Sequence, residues 1–145
     1  MSHVGCIDKD GTVFTWGAGF FGRLGNGYND NVFKPKKIHS KIVRRYKDIS
    51  CGAYHSLMID TDGELYACGK KDMVLSKYDE IEPISLEFFY NKKLSGICAA
   101  EEHSIALTEE GTVLYGVLIN TAKLEITAKT SLKTVHLNQS FLISY

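Results

Sequence analysis

Residues 55–69 read HSLMIDTDGELYACG, and the same sentence occurs twice more in this chain. Residues 3–17 read HVGCIDKDGTVFTWG, and residues 103–116 read HSIALTEEGTVLYG. The histidine stands eight positions before a glycine each time: 3 to 11, 55 to 63, 103 to 111. The copies lie 52 and 48 residues apart. A period of that length marks an array, a solenoid or a propeller, in which one small unit is stacked repeatedly.

Each copy has the chemistry of a hairpin. Short apolar runs, Leu57-Met58-Ile59 and Ile105-Ala106-Leu107, suit strands covered on both faces. Asp10-Gly11, Asp62-Gly63 and Glu110-Gly111 follow, where a tight turn needs a residue tolerant of positive φ. Runs at 46–51 and 94–99 read as the strand preceding the second and third copies. Residues 133–145, with Phe141-Leu142-Ile143, read as the opening of a fourth. About ten short strands and no convincing helix make the class all-β. The chain reads as one repeat domain over 1–145, with units near 1–45, 46–93 and 94–132 and a partial unit at 133–145.

The bulk properties exclude several function classes. Seventeen basic residues balance seventeen acidic ones, so no global charge recruits nucleic acid or an anionic membrane. No stretch reaches the ~18 to 20 apolar residues of a membrane helix, and the N-terminus lacks a basic-then-apolar leader. Cys6, Cys51, Cys68 and Cys98 contain no C-x-x-C pair. They read as small buried thiols of an intracellular protein, in cytoplasm or nucleus.

Motifs that imitate active sites fail on geometry. Gly17-Ala-Gly19-Phe-Phe-Gly22 has dinucleotide-binding spacing, but Arg23-Leu-Gly-Asn-Gly27 is poor material for the helix such a site needs. Calcium-loop numbering on Asp8-x-Asp10-Gly11 or Asp60-x-Asp62-Gly63 puts glycine at the twelfth position, where a carboxylate is required. His55-Ser56 and His103-Ser104 are strand neighbours on opposite faces, so neither histidine can activate the serine beside it. His55 and His103 are therefore expected to be buried and bonded to backbone, and Trp16 to pack at a core or blade edge. No cofactor, metal or catalytic residue is expected. The one charged feature is Lys34, Lys36, Lys37, Lys41, Arg44, Arg45 and Lys47, seven cations in fourteen residues without an acid. Lys36, Lys37, Arg44, Arg45 and Lys47 are the candidate contacts for an acidic protein patch, or for nucleic acid or chromatin.

Cys51-Gly52-Ala53-Tyr54-His55-Ser56, the Asp-Gly turn, Trp16-Gly17 and the loop Gly22-Arg23-Leu24-Gly25 together resemble the repeat of the regulator of chromosome condensation family. The resemblance covers most of the chain and fades after the second copy, where Lys70 to Ser76 lacks the loop glycines. It implies blades of a β-propeller, here about three in an open or partial ring. It makes Gly17, Gly22, Gly25, Gly52, Gly63, Gly69 and Gly111 structural repeat positions, with Trp16, His55 and His103. It further implies a protein-interaction module without chemistry of its own, in its most specific form an exchange factor for a small GTPase. The alternative is a non-exchange scaffold or targeting domain, as in a ubiquitin ligase or kinase. Three units fall short of the roughly four blades that close a ring, so self-association is expected.

Overall fold

The structure is a computed structural model that describes residues 2–41, 43–86, 91–101, 103–117 and 124–126. The expected fourth copy at 133–145 lies outside the described residues. Three antiparallel sheets follow one another along the chain. The first holds β1 (His3–Ile7), β2 (Val13–Gly17) and β3 (Val32–Lys37). The second holds β4 (Tyr46–Cys51), β5 (His55–Asp60), β6 (Leu65–Gly69) and β7 (Glu80–Ser85). The third holds β8 (Leu94–Ala99), β9 (His103–Thr108), β10 (Val113–Val117) and β11 (Leu124–Ile126). Strands lie in chain order within every sheet, so each sheet is a meander and the three do not close into a barrel or ring.

The hairpin of each repeat forms where the sequence places it. β1 pairs β2 with His3 opposite Gly17, and β5 pairs β6 with His55 opposite Gly69. The turns are three-residue loops with glycine in the left-handed region, φ 78° at Gly11, 83° at Gly63 and 85° at Gly111. Asp8 Oδ1 accepts the amides of Asp10 (2.9 Å) and Thr12 (2.8 Å). Asp60 Oδ1 does the same for Asp62 (3.0 Å) and Glu64 (2.9 Å). The calcium-like aspartates thus bind their own turns. Each turn also anchors the next sheet: the Tyr46 amide donates to the Gly11 carbonyl (2.8 Å), and Leu94 to Gly63 (3.0 Å).

Two apolar layers lie between the sheets. Val13 and Ile7 of the first sheet meet Met58, Tyr66 and Cys68 of the second. Leu57, Ile59, Leu65 and Ala67, on the opposite side of the second sheet, meet Ile97, Ala106 and Leu114 of the third. The second sheet is therefore covered on both faces, and every residue of β5 and β6 is buried. This explains why the run at 57–59 has no polar alternation. The cysteine expectation needs correction. Only Cys68 is buried, Cys51 and Cys98 are half-buried, and Cys6 is exposed, because β1 turns it away from the second sheet. All four are free thiols.

Candidate functional site

Strand ends fix where the loops gather. The ends at Gly17, Cys51, His55, Gly69, Ala99 and His103 share one rim of the sheets, by the pairings His3–Gly17, Cys51–Ser56, His55–Gly69 and Ala99–Ser104. The longest loop on that rim joins β2 to β3. Its leading part is held from beneath. Thr15 Oγ1 donates to the Leu24 carbonyl (2.6 Å), the Gly19 amide to Asn31 Oδ1 (3.0 Å), and Leu24 is fully buried. Gly19 must be glycine, since a Cβ there would lie 1.9 Å from the Asp30 carbonyl oxygen. The G-x-G-x-x-G spacing thus serves a close backbone approach, with only a single turn at Phe20–Gly22 and no phosphate-binding helix.

The second copy lacks those glycines yet keeps the loop's form. A turn at Lys71–Met73 replaces Phe20–Gly22, and Val74 is buried as Leu24 is. Asp79 Oδ1 accepts the Lys71 amide (2.8 Å), the counterpart of Asn31 with Gly19. Leu75 takes φ 54°, close to the 61° of Gly25.

Beneath the rim runs a set of buried polar contacts between repeats. His3 Nε2 lies 2.6 Å from Ser56 Oγ, and His55 Nε2 lies 2.8 Å from Ser104 Oγ. The histidine of one repeat therefore reaches the serine of the next, not its own neighbour. The expectation that His55 bonds to backbone is corrected in its partner: at its Nε2 the contact is a side chain across the sheet interface. Ser56 Oγ donates to the Arg23 carbonyl (2.8 Å), so it accepts the His3 Nε2 proton. Burial, reinforced by the Arg23 charge and by His55, brings the His3 pKa down to about 4. Burial, then His103, does the same to His55, also to about 4. Both rings are neutral structural groups at physiological pH.

Above this layer an aromatic pair is flanked by two cations. Phe21 and Tyr54 meet edge to face at 5.9 Å between ring centres. Arg23 Cζ lies 5.8 Å from the Phe21 centroid and 5.3 Å from that of Tyr54. Lys70 Nζ lies 5.8 and 5.4 Å from the same two. Arg23 Nε donates to the Phe20 carbonyl (2.9 Å) and Nη1 to the Ala53 carbonyl (2.5 Å). The Lys70 amide donates to the Tyr54 carbonyl (2.9 Å). Gly52 permits this turn, since a Cβ there would sit 2.5 Å from the Ala100 carbonyl oxygen. Beside the pair opens a cleft of about 370 Å³ lined by Ser2, Phe20, Arg23, Gly52, Ala53, Tyr54 and Glu101. Phe20 is 56% exposed on its edge. Such an array offers stacking, apolar contact and positive charge to a partner. It presents no nucleophile with a base.

Sequence reading did not single out Arg23, Phe21, Tyr54 or Lys70. The signal present was two adjacent phenylalanines inside a glycine loop, too apolar for an ordinary solvated turn. The basic run, by contrast, is divided. Lys36 and Lys37 are exposed on β3, with Lys36 Nζ 4.8 Å from the Tyr28 ring centre. Arg44 turns inward to Asp60 Oδ2 (3.1 Å) and the Tyr66 ring. Arg45 is exposed, and Lys47 approaches Glu109 of the third sheet at 3.9 Å. Trp16 is half-buried at the end of β2. Among the described residues no cluster of His, Cys, Asp and Glu is placed to hold a metal, and no helix is long and apolar enough to cross a membrane.

Comparison with known proteins agrees with this architecture. Residues 10–59 match the family model of the regulator of chromosome condensation (RCC1) repeat. The ultraviolet-B receptor UVR8 of Arabidopsis thaliana is 33% identical over 108 residues, covering 72% of this chain and 24% of that protein. The human E3 ubiquitin-protein ligase HERC2 is 32% identical over 122 residues, covering 77% of this chain and 2% of HERC2. Among solved structures, yeast RCC1 (Prp20) bound to Kap60 superposes with a TM-score of 0.67 at 26% identity, covering 79% of this chain and 30% of that one. The chain thus spans a quarter or less of the length of these two curated relatives.

Proposed function

We propose that this chain, which carries the regulator of chromosome condensation repeat at residues 10–59, is a protein-interaction module whose contact surface is the loop rim around Phe21 and Tyr54. The supporting observation is the aromatic pair between two cations beside an open cleft, on a loop held by Thr15, Asn31 and Ser56. A surface held this rigidly binds without paying a large ordering entropy.

In its most specific form the partner is a small GTPase whose nucleotide release the module accelerates. Exchange needs no catalytic acid or base. It needs only tighter binding to the nucleotide-free GTPase than to the loaded one. The likeness to yeast RCC1 supports this reading. The likeness to HERC2, described as a ubiquitin ligase, supports the second reading, a targeting domain that binds without exchange. In either case the module works inside the cell, in cytoplasm or nucleus, and its four free thiols suit that setting.

Release of fluorescent GDP from a panel of small GTPases, run beside affinity capture, separates the two. Acceleration that Phe21→Ala and Tyr54→Ala abolish supports exchange through this rim. Capture without acceleration, lost in the same variants, selects targeting. Capture that both folded variants leave unchanged removes the rim from the contact surface.

A further inference from the structure

We propose that the cleft at the loop rim binds a carboxylate-bearing segment of a protein partner, with the acid seated at Arg23 and Lys70 adding a second positive charge over the same ring pair. This rests on the rim being the contact surface and names the chemistry it selects.

The argument begins with an uncompensated charge. Arg23 is 4% exposed, yet no acidic side chain among the described residues pairs with it. A buried cation without a counter-ion is costly, and folded proteins normally supply the partner. Arg44 shows how this chain does so elsewhere: it lies over the Tyr66 ring and is neutralised by Asp60 and, at 3.9 Å, by Glu64. Arg23 lies over two rings in the same manner, but its two hydrogen bonds go to the uncharged carbonyls of Phe20 and Ala53. A guanidinium carries five N–H donors, so three remain for a ligand. Lys70 adds a second cation over the same rings and forms no ion pair among the described residues.

The lining selects the anion. Phe20, Ala53 and Tyr54 supply apolar walls that suit the side chain next to an acid in a peptide. Glu101 also lines the cleft, which confines an acid to the Arg23 end and offers an acceptor to a peptide N–H. The balanced charge of the chain gives a nucleic-acid strand no general attraction to this rim.

The test is fluorescence anisotropy with a fluorescein-labelled peptide, Glu-Phe-Asp-Glu, against its neutral counterpart, Gln-Phe-Asn-Gln. The acidic peptide should bind at least tenfold more tightly, with affinity falling as salt rises. Arg23→Gln should abolish binding, and Lys70→Glu should weaken it at least tenfold. Where circular dichroism shows Arg23→Gln unfolded, Lys70→Glu alone decides. Equal affinity for the two peptides overturns the proposal, as does binding unchanged by Lys70→Glu. So does a single-stranded DNA oligomer that displaces the peptide and binds more tightly. If the peptide fails while partner capture still depends on Phe21 and Tyr54, the rim stands as the contact surface and only the carboxylate is lost.

Discussion

His3 and His55 connect residue chemistry to pH. Each offers one ring nitrogen to a serine of the following repeat, and neither Nδ1 has a hydrogen-bond partner among the described residues. Protonation would bury a charge with nothing to accept the new N–H. Burial accordingly lowers both values from 6.5 to about 4. Between those limits the unfolded chain binds more protons than the folded one, so stability rises with pH. Their contribution is full above 6.5 and is lost as pH falls toward 4, at up to about 1.4 kcal/mol per pH unit for each histidine. Urea titrations at half-unit steps from pH 7 to 4.5 should show this slope, and His55→Gln should reduce it. A flat profile would contradict the assignment of neutral, buried rings. The burial of His55 is legible in the sequence, because a residue recurring at one position of every repeat serves the repeat, whereas His103, expected to be buried on the same ground, is only half-buried. Sequence reading could not foresee Ser56 and Ser104 as partners, since each sits about fifty residues from its histidine and only the stacking of sheets brings them together.

Elements were legible where local chemistry decides them. The Asp-Gly turns and the apolar runs placed the hairpins β1–β2, β5–β6 and β9–β10 correctly, because these depend on residues within one turn of each other. The rim loop was less legible. The second copy builds its turn at Lys71–Met73 without the glycines, with Leu75 in the left-handed region. The site itself depends on Arg23, Tyr54 and Lys70 from three separate loops, whose meeting no local pattern announces. The glycines also separate into two kinds that sequence alone does not distinguish. Gly69, at φ 126°, ends β6 where a Cβ would lie 2.4 Å from the Tyr54 carbonyl oxygen. Gly96 lies within β8, beside a register shift between Leu94 and Gly96, where a Cβ would meet nothing within 4 Å among the described residues and φ is outside the left-handed region. Gly69→Ala should therefore cost about 2 kcal/mol or more, while Gly96→Ala should gain about 0.5 kcal/mol by restricting the unfolded chain. Thermal unfolding of the two variants beside the parent measures both. A Gly69→Ala protein as stable as the parent would show that the strand end can move aside.

At the scale of the molecule, the stacking order leaves the outer faces of the first and third sheets without a neighbouring sheet among the described residues. The second sheet meets the first through Ser56, Met58, Tyr66 and Cys68, and the third meets the second through Ser104, Ala106 and Leu114. The matching positions on the first sheet are Val4, Cys6, Phe14 and Trp16, paired across the strands as Val4–Trp16 and Cys6–Phe14. No described residue covers them as the first sheet covers Met58: Val4 is 48% exposed, Cys6 is exposed, and Phe14 and Trp16 are half-buried. The opposite face of the third sheet, with Ile105 and Leu107, repeats the pattern of Leu57 and Ile59 that receives a neighbour in the second. Among the described residues these two faces are the unmatched halves of one repeating interface, and a head-to-tail contact between them adds copies in series. The 145-residue chain on its own is therefore expected to self-associate with rising concentration. Sedimentation velocity should show the average mass climbing with concentration, and maleimide alkylation of Cys6 should slow over the same range. Val4→Glu with Trp16→Arg should return the protein to a monomer with its hairpins intact. A parent that stays monomeric at hundreds of micromolar, with Cys6 alkylated at a constant rate, would mean that this face is stable against water, and that stacking is required only between sheets already tethered in one chain.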